Sequence, residues 1–305
     1  MTEVIGIDVG GTFTDLYLED DAGDAVTFKV PSTPDDPSSG FMQALTSAGV
    51  HLPSLKLIVH GTTIATNAVI ERKGARLALI TTRGFRDVLE LGRRDRPRMY
   101  GLTGVQRPLI TRDLRFEVDE RVGAGGEVLT ALRKEQVLEL GAALQSLELE
   151  AIVIAFLHAY AYPEHEQLAA TWLRELNRDW EVITSHEVCN EYFEFERTST
   201  AVVQGYLQPM VSRYAARMQS RLAAQGYNGD TLIMQSNGGV VPVKQVPARA
   251  ANLVRSGPAA GVIAAADLAA RAGYDHAITG DMGGTSFDVA VVRNAAPKIA
   301  TTTKL

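Results

Sequence analysis

One cysteine, Cys189, stands in 305 residues, so no intrachain disulfide can form. That fits a reducing compartment, and the cytoplasm is the expected location. No apolar run reaches the ~18 residues that a spanning helix needs, so no membrane role is expected. Met1-Thr2-Glu3 leads straight into a strand pattern without a charged and apolar leader, so no signal peptide is expected. There is no excess of basic charge. Lys and Arg number 30 against 36 Asp and Glu, a net charge of −6, and no nucleic-acid partner is expected. Two nucleotide signatures are missing as well: no Gly-x-x-x-x-Gly-Lys-Ser/Thr, and no Gly-x-Gly-x-x-Gly behind a strand.

What is present is a globular composition, 46% hydrophobic and 22% charged, with length for two domains. Val4–Val9 is a β-branched run closed by Gly10-Gly11, a buried strand ending in a tight turn. Thr14–Leu18 and Ala25–Val30 read as two further strands joined by the turn at Asp20–Asp24, so the chain opens with three antiparallel strands. Helices are expected over Pro34–Gly49, Thr62–Arg72, from Gly84, over Arg133–Leu147 and after Pro163. They alternate with strands at Leu55–Val59, Arg76–Ile80 and Ala151–Phe156. Such alternation predicts parallel pairing with helices on both faces. Thr198–Ala223 is the longest helical pattern, and Pro209 is expected to kink it. Strands at Thr231–Gln235, Ala277–Asp281 and Ser286–Val292 and a small-residue helix at Ser256–Ala272 complete the pattern. A change of domain is expected near residues 185–200, giving lobes 1–188 and 189–305.

An internal repeat carries the chemistry. Asp8-Val9-Gly10-Gly11-Thr12-Phe13-Thr14-Asp15 recurs as Asp281-Met282-Gly283-Gly284-Thr285-Ser286-Phe287-Asp288, identical at five of eight positions. Each copy ends one strand and begins another, so the repeated object is a hairpin. Paired glycines let backbone N–H groups approach an anion with no Cβ in the way. Thr12 and Thr285 add a hydroxyl. A carboxylate before each turn, Asp8 or Asp281, suits Mg²⁺, which prefers oxygen ligands and keeps much of its water. Two such hairpins facing each other would clamp a polyphosphate, and phosphoryl transfer depends on that positioning and charge neutralisation. The bland reading of either copy alone is a Gly-Gly turn.

The duplicated Asp-x-Gly-Gly-Thr hairpin resembles the two phosphate motifs of the sugar kinase, Hsp70 and actin superfamily. Val4–Asp15, His60–Arg72, Gly84–Arg94, Glu196–Leu207 and Ser256–Ser286 together resemble the A subunit of the hydantoinase/oxoprolinase family. The resemblance spans essentially the whole chain. It implies an actin-like (ribonuclease H-like) α/β fold. Two lobes each hold a mixed sheet beginning in antiparallel hairpins, the second lobe being incomplete. It also implies ATP and Mg²⁺ as cofactors. The activity it implies is ATP-dependent opening of a cyclic amide such as hydantoin or 5-oxoproline, or carboxylation of a ketone such as acetone or acetophenone. A B subunit and an oligomer follow from the same likeness. The superfamily's adenosine-binding glycine motif lies well downstream of the second hairpin, after which only Ala290–Leu305 remain here.

On this reading Gly10, Gly11, Thr12, Thr14, Asp15, Gly283, Gly284, Thr285 and Asp288 serve the nucleotide, with Asp15 and Asp288 supporting the hairpins or the metal's waters. Asp8 and Asp281 position Mg²⁺ or the attacking group. His60-Gly61-Thr62-Thr63 follows a strand and opens a helix. It is either a substrate-side turn or a helix cap. Arg94 is the arginine expected at the substrate, in a dense set with Arg83, Arg86, Arg93, Arg96 and Arg98 that equally reads as a basic loop balanced by Asp87, Glu90 and Asp95. His158 and His165, with Glu164 and Glu166, match no strong metal template. Glu187, Glu191, Glu194 and Glu196 read as a solvated acidic face, with one glutamate as base the alternative, and Cys189 as a small buried hydrophobe. A nucleotide-gated assembly module is the non-enzymatic alternative.

Overall fold

The computed structural model describes residues 4–19, 25–33, 35–93, 100, 101, 104, 106–282 and 287–298. The chain opens with β1 (Val4–Val9), β2 (Phe13–Glu19), β3 (Ala25–Pro31), α1 (Pro37–Ser47), β4 (Leu57–Thr62) and α2 (Ile64–Ile70). There follow β5 (Leu77–Thr82), α3 (Val88–Leu91), β6 (Arg115–Val118), β7 (Arg121–Val122), β8 (Val128–Thr130) and α4 (Lys134–Leu144). Next come β9 (Ala151–Ala155), α5 (Glu164–Leu176), β10 (Glu181–Thr184), α6 (Ser185–Val188) and α7 (Glu194–Ala224). β11 (Asp230–Met234), β12 (Val240–Pro242), α8 (Ser256–Arg271), β13 (His276–Met282), β14 (Phe287–Arg293) and β15 (Ala296–Pro297) complete the order.

The chain forms two compact units, residues 1–73 with 211–305, and residues 74–210. The expected division into 1–188 and 189–305 follows other lines. The difference arises because β11 pairs in parallel with β4, far back in the sequence. Residues 74–210 are therefore an insertion between two neighbouring strands of one sheet, which linear order does not reveal.

The first unit is built on a mixed sheet of order β12-β11-β4-β1-β2-β3. β1 runs antiparallel to β2 and parallel to β4. In β1 the residues Ile5, Ile7 and Val9 are buried and alternate with Gly6 and Asp8, as one-sided packing requires. α1 buries Phe41, Ala44 and Leu45. Its start is tied to the end of α7 by Arg221, 2.6 Å from Asp36 and 2.7 Å from the Ser39 hydroxyl. Those donors and Ser38 hold the Asp36 carboxyl down to about 2. β13, β14 and β15 make a separate antiparallel sheet in the same unit. One of its faces leaves Ile278, Met282, Phe287, Val289 and Val291 exposed.

The second unit holds a four-stranded sheet of order β10-β9-β5-β6, parallel throughout. β9 is buried at every residue, as a strand covered on both faces must be. Val137 and Leu144 of α4 and Ala169 and Leu173 of α5 join Ile152, Ile154 and Phe156 in its core. A Cβ on Gly205 of α7 would lie 2.7 Å from Val153, so the glycine permits close packing on this sheet. The helix expected from Gly84 forms only at Val88, because Gly84 takes a φ of +91° and the chain turns until Asp87. α7 runs from Glu194 to Ala224 as one helix with Pro209 inside it. The boundary between the units falls just past that proline, at Met210 and Val211. Among the described residues no single helix is long and apolar enough to cross a membrane.

Candidate functional site

Four strands of the first unit, β1, β2, β13 and β14, carry the repeated residues. In the first hairpin Asp8 lies opposite Asp15 and Val9 opposite Thr14. The turn closes by a 3.0 Å bond from the Gly10 N–H to the Phe13 carbonyl. A Cβ on Gly10 would approach that same oxygen to 3.0 Å, so the turn favours glycine there. Ser32 braces the corner: its N–H bonds the Thr12 carbonyl at 2.9 Å and its hydroxyl the Gly10 carbonyl at 2.8 Å. Gly11 and Thr12 stand exposed at the tip. Thr14, expected among the nucleotide contacts, is instead wholly buried, with its hydroxyl 3.1 Å from that of Ser32. Its position on the inward face of β2 makes it a brace. Asp15 pairs with Lys29 at 2.6 Å.

The second hairpin repeats the register, Asp281 opposite Asp288 and Met282 opposite Phe287. Gly283, Gly284 and Thr285 lie outside the described residues, as does Arg94. Asp8 is open to solvent yet hemmed in by protein. Desolvation pushes its carboxyl up, and the charges of Asp15 and Asp281 push it further. The two copies of the repeat thus sit close enough for their leading aspartates to feel each other. Asp8 and Asp281 offer only oxygen donors and carry surplus negative charge, which fits a hard divalent cation. Among the described residues no three acidic, histidine or cysteine side chains come together to hold a metal ion.

The turn after β4 stands against this hairpin, through its backbone more than its side chains. The N–H and hydroxyl of Thr63 both reach the Val9 carbonyl, at 3.1 and 3.3 Å. Asn67 donates to the Thr63 hydroxyl at 3.2 Å. Thr63 makes no side-chain cap to α2, while Thr62 is buried with its hydroxyl 3.3 Å from the Ile64 N–H. Gly61 lies beside Asp8 in the parallel register. α8 begins here too, an approach the sequence pattern does not announce. The Ser256 hydroxyl bonds the Thr62 carbonyl at 3.2 Å, and the Arg255 N–H bonds the Thr66 hydroxyl at 2.8 Å.

His60, expected beside substrate, is buried completely. Its Nδ1–H donates to the Ile7 carbonyl at 3.0 Å, and its Nε2 accepts from the Tyr214 hydroxyl at 2.7 Å. Phe41 packs edge-on against the ring. Both nitrogens are satisfied by the neutral form, and burial pushes the imidazole pKa down to about 4. A base whose folded pKa is depressed stabilises the fold above its unfolded pKa of 6.5 and loses that contribution as pH falls towards 4. The loss should amount to about 3 kcal/mol. Urea midpoints measured from pH 7 to pH 4.5 check this, and His60→Gln should flatten the dependence.

In the second unit the described arginines of this loop pair with acids from other segments. Arg83 bonds Asp119, Arg86 lies 3.9 Å from Glu117, and Arg93 lies 2.6 Å from Glu196 and over the Phe193 ring. His165 is engaged by Glu120 at 2.7 Å, and Glu166 is taken up by Ser185, His186 and the Phe156 N–H. Glu194 does not sit on a solvated acidic face. It is partly buried, its carboxyl is pushed up by desolvation, and it accepts from Arg197 and the His158 N–H. Burial likewise raises the Cys189 thiol, so nothing activates it as a nucleophile.

A family profile described as hydantoinase/oxoprolinase N-terminal region matches residues 4–177, and one described as hydantoinase/oxoprolinase matches residues 197–305. The acetophenone carboxylase gamma subunit of Aromatoleum aromaticum is 35% identical over 94% of this chain and 42% of its own length. The caprolactamase subunit alpha of Pseudomonas jessenii is 36% identical over 93% of this chain and 42% of its own. The crystal structure of that organism's ATP-dependent caprolactamase superposes with a TM-score of 0.81 at 33% identity, over 94% of this chain and 43% of the other. A nucleotide-free acetone carboxylase structure, from work on ATP-dependent acetone carboxylation, gives a TM-score of 0.88 at 29% identity, over 98% of this chain and 46% of the other. The chain thus spans less than half the length of the relatives it matches. The relatives include amide hydrolases and ketone carboxylases, several of them named as subunits of larger enzymes. The mixed α/β architecture with its twinned hairpins is actin-like, in keeping with those structures. Matched from Val4 to Leu305 by the two profiles, with residues 178–196 between them, the chain belongs to the hydantoinase/oxoprolinase family.

Proposed function

We propose that this chain supplies the phosphate-gripping part of an ATP site in an enzyme that phosphorylates a carbonyl oxygen of a cyclic amide of the hydantoin or 5-oxoproline type and so opens the ring. One observation carries the reading: two hairpins of equal register bring Asp8 and Asp281 within electrostatic reach. Gly10, Gly11 and Thr12 of one hairpin and Gly283, Gly284 and Thr285 of the other hold phosphate oxygens. Asp8 and Asp281 hold Mg²⁺ through water, while Asp15, Asp288 and the buried Thr14 keep the hairpins in shape. Mg²⁺ supplies charge neutralisation on the transferring phosphoryl group. That group passes from ATP to the amide oxygen and ADP departs. One water adds at the carbon, the ring C–N bond breaks with a proton passing to the leaving nitrogen, and a second water hydrolyses the resulting acyl phosphate to carboxylate and inorganic phosphate. The adenosine side of the site, and a B subunit, come from polypeptide beyond these residues.

A second reading, carboxylation of a ketone on the same ATP site, rests on the likeness to the acetophenone carboxylase gamma subunit and to the acetone carboxylase structure. Phosphate release by the full-length protein with its partner subunit separates the two. Release stimulated by hydantoin, 5-oxoproline or caprolactam alone indicates ring opening. Release that needs acetone or acetophenone together with bicarbonate indicates carboxylation. Release that no carbonyl compound stimulates would count against both.

A further inference from the structure

β1 and β4 run parallel with Asp8 beside Gly61, and β2 places Asp15 on the other side of Asp8. The Asp8 carboxylate therefore has an acidic neighbour on one flank and a residue without a side chain on the other. It occupies the open flank. An ideal Cβ on Gly61 would lie 2.6 Å from Asp8 Oδ1, 3.4 Å from Cγ and 3.7 Å from Cβ. Real Cβ atoms do not approach an oxygen that closely. Nothing in the backbone demands glycine at this point, because Gly61 is an ordinary strand residue without a positive φ. The requirement comes from one side chain, and that side chain is the acid placed at the phosphate corner.

We propose that Gly61 is a positioning residue: its missing side chain leaves the space in which the Asp8 carboxylate lies, turned away from Asp15. Gly61 then contributes to catalysis through Asp8 and not by touching substrate, the role expected from its place beside His60. The inference rests on the ATP reading for its functional consequence, and on strand register and the close approach of Asp8 to Gly61 for its geometry.

Gly61→Ala forces the carboxylate to rotate towards Asp15, away from the metal-holding orientation. In the full-length protein with its partner subunit, kcat for substrate-stimulated phosphate release should fall about 10- to 100-fold, because misplacing a catalytic group by about 1 Å costs that order. KM for ATP should change less than about twofold, since the glycine corners that hold the phosphates are untouched. A stability cycle gives a readout independent of turnover. The drop in melting temperature caused by Gly61→Ala should largely disappear when it is introduced into Asp8→Ala, since the obstructing oxygen is then gone. An equal drop in both backgrounds, or normal kcat in Gly61→Ala, overturns the inference. If Asp8→Ala itself keeps full turnover, Asp8 leaves the mechanism and the functional part of the inference is overturned, while the cycle still reports on the contact.

Discussion

Asp8→Asn should lower ATP-dependent turnover by about 100- to 1,000-fold, the range seen when one electrostatic element is removed from a transition state, and it should raise the melting temperature of the nucleotide-free protein. The two outcomes share a cause. Burial, Asp15 and Asp281 all favour the protonated form of Asp8, so its pKa in the fold exceeds the ordinary 3.8. The folded state then binds the proton more tightly than the unfolded chain does. Stability contributed by this group is lost as pH rises from 3.8 through the folded pKa. Asparagine removes the charge at nearly constant shape and relieves that loss. Because Asp8 remains accessible, screening keeps the gain small, and it should shrink further in high salt. A bound cation would offset the same repulsion, so Mg²⁺ with a nucleotide should raise the melting temperature of the parent more than that of the variant. Phosphate release and thermal melts at pH 7 check this. Unchanged turnover removes Asp8 from the mechanism, and a lower melting temperature removes the electrostatic account of its neighbours.

The parts of this site that were legible in the sequence are the local ones. A hairpin needs two strands and a turn, all within a dozen residues, and the spacing from Asp8 to Asp15 equals that from Asp281 to Asp288. Equal spacing on either side of a similar turn gave equal register in both copies. Thr14, expected at the nucleotide, is a buried residue of β2, and the repeat itself hints at this. The matching residue of the second copy is Phe287, whereas the glycines, Thr12 and the aspartates recur. His60 could not be placed from its neighbours in sequence, because its partner Tyr214 is 154 residues away. The same distance problem hid the β4–β11 pairing, and with it the insertion of a whole unit. β6 escaped because Arg-Phe-Glu-Val buries an arginine and shows no alternation of apolar residues. Glu166, Glu194 and Arg197 were opaque for a related reason. A charged residue read in isolation is assigned to the surface, and only the assembled partners make its burial tolerable.

Those partners set the largest stability effect expected in the second unit. Arg197 is completely buried at the first turn of α7. Its Nε donates to the Ser185 hydroxyl at 3.1 Å, Nη1 to the Glu191 carbonyl at 2.9 Å, and Nη2 to the Phe156 carbonyl at 2.8 Å and to the Glu194 carboxylate. Ser185 in turn donates to the buried Glu166 at 2.6 Å, which also takes the N–H groups of Phe156 at 2.9 Å and His186 at 3.1 Å. One guanidinium thus joins the ends of β9 and β10 to α5, α6 and α7. Arg197→Met fills much of the volume but takes the guanidinium donors away from Glu194, Ser185 and the carbonyls of Glu191 and Phe156. The expected cost is about 3–5 kcal/mol, as for removing one member of a buried ion pair. Arg197→Lys should recover little of it, because an ammonium cannot reproduce donors aimed in three directions by a planar fork. Glu194→Gln should be milder, since desolvation already disfavours the charged form of Glu194. Hydrogen exchange would localise the damage: amides of β9 and β10 should lose protection first, while those of β1 and β4 keep it. A loss below about 1 kcal/mol in Arg197→Met would mean that the network closes around the gap, and that the core of β5, β9 and their helices holds this unit without it.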